Sequence, residues 1–238
     1  MRTNVPGGIR VVALAASGER VASEPLHHGA DPVHVLGLAG WAVDAPLASS
    51  MADDGALEIA YRTSPLVGEV PPPATVFRDP DVRVGDAAVP HQRVAAYAVV
   101  TSARGVLLTE FTNLTNVEGE WGLPGGGLDE GEAPVDGLHR EVWEETGQRV
   151  ELGDLVAVQS SHWFGRAPSG VVEDFHAVRI VYAATCPSPG DPVVHDIGGT
   201  TADARWFAPH EIDAVPLTRS WRRLDALRAL AQRDYDAP

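Results

Sequence analysis

The chain contains no lysine. All 18 of its basic residues are arginine, and 33 acidic residues leave a formal net charge of −15. That balance argues against polyanionic partners, so neither nucleic acid nor an anionic membrane surface is expected to bind. Cysteine is almost missing too: Cys186 stands alone. An intramolecular disulfide is thereby excluded, the thiol reads as buried and inert, and a reducing cytoplasm is the expected compartment. No apolar run is long enough to cross a bilayer. The opening segment, MRTNVPGGIRVVALAASGER, has only a short apolar run broken by Arg10, which reads as a strand and turn and not as a signal peptide. No internal repeat stands out. At 238 residues the chain can bury a sizeable core, as one large or two small units.

What is present is concentrated in WGLPGGGLDEGEAPVDGLHREVWEETGQ, residues 121–148. Pro134 suits a first helical turn and Gly147 a left-handed cap, so the pattern predicts a helix over 134–146. Val135, Leu138 and Val142 give that helix an apolar stripe. Glu141, Glu144 and Glu145, spaced i, i+3 and i+4, share a second face, where like charges repel by about 0.2–0.5 kcal/mol per pair. Folding gains nothing from this crowding. A hard dication such as Mg²⁺ or Mn²⁺ would turn the liability into a binding site for itself and for substrate phosphate. Arg140 can brace one carboxylate bidentately. The Gly125-Gly126-Gly127 turn lets backbone approach a metal or phosphate closely. A single glutamate would read as a solvated side chain, but this string at fixed spacing does not.

The rest of the chain gives a coarse outline. Strands are expected at Ile9–Leu14, 33–42 and Leu57–Arg62, with a turn at Asp53-Asp54-Gly55. Pro71-Pro72-Pro73 reads as extended linker, which divides the chain into a β-rich accessory domain over 1–70, a linker over 71–90 and a second domain over 91–238. Dimerisation or substrate selection are the roles considered for the first, and a homodimer stays open. His27, His28 and His34 could be pictured as metal ligands, but lone histidines are more often ordinary surface or core residues. In the second domain, strands are expected at 94–101, 106–111, 150–159, 175–184 and 204–207. A loop (GRAPSG) is expected at 165–170 and a single closing helix at 218–233. Few helices among many strands suggest an α+β arrangement with helices flanking a mixed sheet.

With five residues between Gly126 and Glu132 and seven between Glu132 and Arg140, the motif resembles the box of the Nudix hydrolases. The likeness extends over about 90–238. It implies an α/β/α sandwich and Mg²⁺- or Mn²⁺-dependent cleavage of a diphosphate bond in a nucleotide derivative. It implies Glu144 and Glu145 as paired metal ligands, Glu141 as ligand or base, Arg140 as their orienting partner and Glu132 as a supporting residue. It also implies the Gly125 carbonyl as a metal contact. One position departs, since Gln148 stands where the box normally ends in an aliphatic residue; Val150 is expected to supply that packing.

In this family the general base sometimes lies on a later loop, which makes Glu173 and Asp174 candidates, against the plainer reading of a strand-end charge. Substrate recognition is expected outside the box. Trp163 or Phe164 could stack on a base or sugar, and His162 or Arg166 could contact phosphate, each against an ordinary packing or solvated role. The proline that marks ADP-ribose hydrolases after the box is absent, so the substrate is read as a nucleoside diphosphate or triphosphate derivative without choosing one. The alternative is a nucleotide-sensing Nudix protein that binds without cutting. It is disfavoured by the intact glutamates and by the lack of a basic recognition helix.

Overall fold

The segment Asp31-Pro32 shows how local signals set the elements. The Asp31 carboxylate accepts hydrogen bonds from the amides of Val33 (2.9 Å) and His34 (3.1 Å), and Pro32 occupies the first turn. This is an N-cap followed by the residue whose missing N–H costs nothing there. The strand expected over 33–42 is therefore corrected: Pro32–Leu38 is a helix, and a strand begins only at Trp41.

The computed structural model describes residues 1–82, 88–166 and 170–235. In chain order the strands are β1 (Arg2–Thr3), β2 (Ile9–Leu14), β3 (Arg20–Pro25), β4 (Trp41–Met51), β5 (Leu57–Pro65), β6 (Val76–Arg78), β7 (Val89–Ser102), β8 (Gly105–Phe111), β9 (Trp121–Gly122), β10 (Gly125–Gly127), β11 (Glu151–Arg166), β12 (Val172–Thr185) and β13 (Thr201–Phe207). The helices are α1 (Pro32–Leu38), α2 (Pro134–Thr146), α3 (Arg219–Arg222) and α4 (Asp225–Tyr235), with a 3₁₀ turn at Pro209–Ala214. One sheet has the order β3-β2-β5-β4, and a larger mixed sheet has the path β13-β8-β7-β12-β11-β6. The class is α+β, with a separate N-terminal β-sheet.

Two compact units are formed, one from Met1–Ala95, Gly127–Pro134 and Leu155–Ile180, the other from Ala96–Gly126, Val135–Asp154 and Val181–Pro238. In the first, β2 runs parallel to β5 and antiparallel to β3. Ile9, Val11, Val12, Leu36, Leu57 and Ile59 bury its core. The Asn4 side chain donates to the carbonyls of Val94 and Leu128 (both 2.8 Å) and accepts from the Val94 amide (2.9 Å). The run Pro71–Pro73 has no regular structure, and His34 Nδ1 lies 2.6 Å from the Pro71 carbonyl.

In the second unit, β7 and β8 form the expected hairpin, with Val100 opposite Leu107 and Ser102 opposite Gly105. β13 pairs antiparallel with β8. The expected closing helix is broken into α3 and α4. Trp221, Leu224 and Leu227 are all buried, and this run of three-residue steps matches a 3₁₀ period better than an α-helical one. Two turn-type bonds, Leu224 to the Trp221 carbonyl (3.1 Å) and Leu227 to the Leu224 carbonyl (3.0 Å), close the break.

Candidate active site

Helix α2 carries the acidic cluster. Its buried positions are Pro134, Gly137, Leu138, Val142, Glu145 and Thr146, a continuous i+3/i+4 stripe. Val135, expected on that stripe, is instead exposed. Glu145 lies on the apolar face, three residues beyond Val142, and not wholly on the acidic one. It is only 5% exposed. The Gly125 amide donates to its Oε2 (2.8 Å) and the Thr201 hydroxyl to its Oε1 (2.6 Å). Burial pushes its carboxyl up to about 8 despite these two hydrogen bonds, and the nearby charges of Glu141 and Asp196 push the same way. Thr201 was not readable as a site residue: it lies 56 positions away in sequence and no motif marks it.

Glu141 and Glu144 are held differently. One guanidinium nitrogen of Arg140, Nη1, donates to Glu141 Oε1 (2.9 Å) and to Glu144 Oε2 (3.2 Å). That one nitrogen thus spans two carboxylates. Glu144 is the most open of the three, with its side chain 43% exposed. A methyl group at Gly126 would fall 2.6 Å from the Glu141 carboxylate, so the glycine turn lies directly against the acidic cluster.

The C-terminal end of α2 is fastened by a loop. Amides of His195 (2.7 Å) and Asp196 (3.0 Å) donate to the Glu144 carbonyl, and that of Val193 to Thr146 (2.9 Å). Gly147 takes the expected left-handed conformation, φ 65°. The Gln148 side chain is tied at both ends: its Oε1 accepts from the Gly190 amide (3.0 Å) and its Nε2 donates to the Thr146 carbonyl (3.2 Å). The family's aliphatic position is here a buried polar tie to the 190 loop, with Val150 buried two residues on.

The remaining sequence candidates belong to the other unit. Glu132 Oε2 accepts from the Asp129 amide (2.8 Å), while its own amide donates to the Asp129 carbonyl (3.0 Å). The segment Ser161–Phe164, expected after a strand, lies within β11. Phe164 carries the Arg78 guanidinium 4.9 Å above its ring, Trp163 is half-buried, and Arg166 donates to the Gly170 carbonyl (2.5 Å). Of the loop expected over 165–170, Gly165 and Arg166 belong to β11, and Ala167, Pro168 and Ser169 lie outside the described residues. Glu173 lies in β12, where its charge acts on His91. His162 lies against Asp174, as does His28.

By chemical type the glutamate oxygens suit a dication, although among the described residues the one group of three metal-ligating side chains with donor atoms within 4.8 Å of one another is not theirs. The Gly125 amide and the Thr201 hydroxyl that donate to Glu145 are both neutral, so ionising its carboxyl in this dry place calls for a cation beside it. Oxygen donors are what Mg²⁺ or Mn²⁺ prefers. Residues 91–230 match the Nudix domain family. The chain belongs to the Nudix family. A MutT-like protein from Streptomyces ambofaciens is 41% identical over 131 residues, spanning 53% of this chain and 75% of its own length. An RNA pyrophosphohydrolase of Psychrobacter cryohalolentis is 42% identical over 52 residues, and only 30% of that protein is covered. Among solved structures, a MutT Nudix hydrolase from Burkholderia pseudomallei is 29% identical, with a TM-score of 0.42 over 55% of this chain and 93% of that one. Nudix membership places the chain among pyrophosphohydrolases, enzymes that act on phosphorus-containing anhydrides.

Proposed function

We propose that the protein hydrolyses a diphosphate bond in a nucleoside diphosphate or triphosphate derivative, by water attack at phosphorus, with Mg²⁺ or Mn²⁺ as cofactor. The observation that carries this reading is the Glu145 carboxylate, buried between an amide and a hydroxyl within reach of the Glu141 charge, with Glu141 and Glu144 tied to one arginine nitrogen. Bound there, a dication would neutralise phosphate oxygens and acidify water. Glu141, Glu144, Glu145 and the Gly125 carbonyl are the proposed groups to hold it. Arg140 fixes the carboxylates of Glu141 and Glu144, so they need not reorganise when substrate arrives. Glu141 is the proposed base within the cluster, and Glu173 the alternative. Glu132 closes the turn that precedes α2.

Trp163, Phe164, Arg166 and His162 are proposed as substrate contacts on their chemistry alone. Stacking suits the two aromatics and phosphate suits the two bases. Residues 1–70 are proposed as an accessory domain joined by 71–90 to the catalytic domain. The lone cysteine supports a cytoplasmic location.

The test is release of phosphate or pyrophosphate from a panel of dNTPs, nucleotide sugars, ADP-ribose and isoprenyl diphosphates with Mg²⁺ or Mn²⁺. Turnover on a nucleotide is expected, and Glu144→Gln should lower kcat by about 10²-fold or more. Metal-dependent turnover on none of them, with the variant matching the wild type, would refute the reading.

A further inference from the structure

Outside the box, the N-terminal unit brings together a second set of metal-binding side chains. His28 follows β3, His162 lies in β11 and Asp174 in β12. Their donor atoms all lie within 4.8 Å of one another. The Nε2 atoms of both imidazoles approach the same carboxylate oxygen, Oδ1 of Asp174; for His28 the distance is 3.1 Å. The two rings meet edge to face, with centroids 5.2 Å apart and planes at 81°.

Three features distinguish this cluster from a simple hydrogen-bonded trio. His28 has both ring nitrogens shielded from solvent, and neither makes a hydrogen bond within the protein. Its 3.1 Å approach to Asp174 meets the distance for an ion pair but lacks hydrogen-bond alignment. Ring nitrogens left shielded and unpaired are costly, and a cation taking the lone pair of one of them would relieve part of that cost. Second, Gly29 adopts φ 75°, and a methyl group there would fall 2.8 Å from His162 Nδ1. A side chain at position 29 would thus collide with the Nδ1–Cε1 edge of the His162 ring, whose Nε2 lies against Asp174. Third, the neighbouring His176 is fully engaged. Its Nδ1 lies 3.0 Å from Gln92 Nε2 and its Nε2 2.9 Å from Ser160 Oγ. Ser160 Oγ also donates to the Ala30 carbonyl (3.1 Å). His176 packs edge-on against both other rings (5.7 and 6.2 Å) and forms a wall of the site without being a ligand.

We propose that His28, His162 and Asp174 form a binding site for a zinc-class transition-metal dication, separate from the carboxylate box and joining the 26–31 segment to β11 and β12. Two imidazole nitrogens and one carboxylate oxygen suit Zn²⁺, Co²⁺ or Ni²⁺, whereas Mg²⁺ favours an all-oxygen shell. Three protein ligands leave a coordination position for water or an anion.

The 238-residue chain, stripped of metal and then saturated with Mg²⁺ to occupy the box, is titrated with Co²⁺. Wild type and Glu144→Gln should each take up about one equivalent of Co²⁺ with the intense visible bands of a low-coordinate site, and the melting temperature should rise. His28→Ala and Asp174→Asn should lose those bands, with metal-free circular dichroism like that of the wild type. The proposal is overturned by unchanged bands in both variants, by bands lost only in Glu144→Gln, or by no uptake in the wild type. Should a variant fail to fold, ¹H–¹⁵N spectra of the wild-type imidazoles decide. Zn²⁺ should shift the signals of His28 and His162, and a titration that moves none of the nine histidines refutes the site.

Discussion

At the scale of single residues, Glu145 carries the sharpest consequence. Its carboxyl is raised from an ordinary 4.5 to about 8, first by burial. A raised acid favours folding only while protonated. The metal-free protein should thus hold that contribution in full below about pH 4.5 and lose it as pH climbs to about 8. Melting temperatures in EDTA across this range, compared with Glu145→Gln, should show a downward slope in the wild type that the variant lacks; parallel curves would contradict it. Added Mg²⁺ should stabilise the wild type increasingly over the same range, because the metal must displace the proton. Gly126 gives a second expectation. The nearest obstacle to a methyl group there is the end of the flexible Glu141 side chain, so Gly126→Ala should leave the melting temperature within about 4 °C of wild type. It should also lower kcat by roughly 10²-fold through the displaced carboxylate. Unchanged kcat would separate Glu141 from the chemistry.

At the scale of elements, the helix of the acidic cluster was readable in the sequence because its signals are local: Pro134 at its start, Gly147 at its end and three- and four-residue spacing between. The placement of Glu145 was also present in that spacing, since it follows Val142 by three. It was masked because Glu141 and Glu144 claim it for the charged face. Thr201 and the Gly125 amide, which receive that carboxylate, could not be read, because only the fold brings them to it. The same applies to His28, whose partners are 134 and 146 positions away. The strand expected over 33–42 gives way to helix α1 because Asp31 caps it and Pro32 opens its first turn. Gln148 shows what a departure from a family pattern can mean: its amide fastens the 190 loop. Gln148→Leu should restore the usual apolar character yet leave the Gly190 amide without its acceptor. Unfolding in urea should then report a loss of about 1–2 kcal/mol, and equal or greater stability would show that the tie contributes nothing.

At the scale of the molecule, a net charge of −15 draws dications in and repels bare polyphosphate. Apparent Mg²⁺ affinity should weaken steadily as NaCl is raised, which calorimetric titration can follow; a salt-independent affinity would confine the electrostatics to the immediate ligands. Among the described residues no helix is long and apolar enough to cross a membrane. Two compact units each hold one of the two proposed metal sites, one all-oxygen and one mixed. The two should respond to different ions.

The acidic cluster on α2 is tested most directly by titrating Mn²⁺ into the full chain, following bound ion by electron paramagnetic resonance and nucleotide hydrolysis in the same samples. Wild type should gain bound Mn²⁺ and turnover together, and the double variant Glu144→Gln/Glu145→Gln should lose both while keeping its fold. Hydrolysis that persists at the wild-type rate in the double variant, or in excess EDTA, would contradict a hydrolytic metal site at Glu141, Glu144 and Glu145.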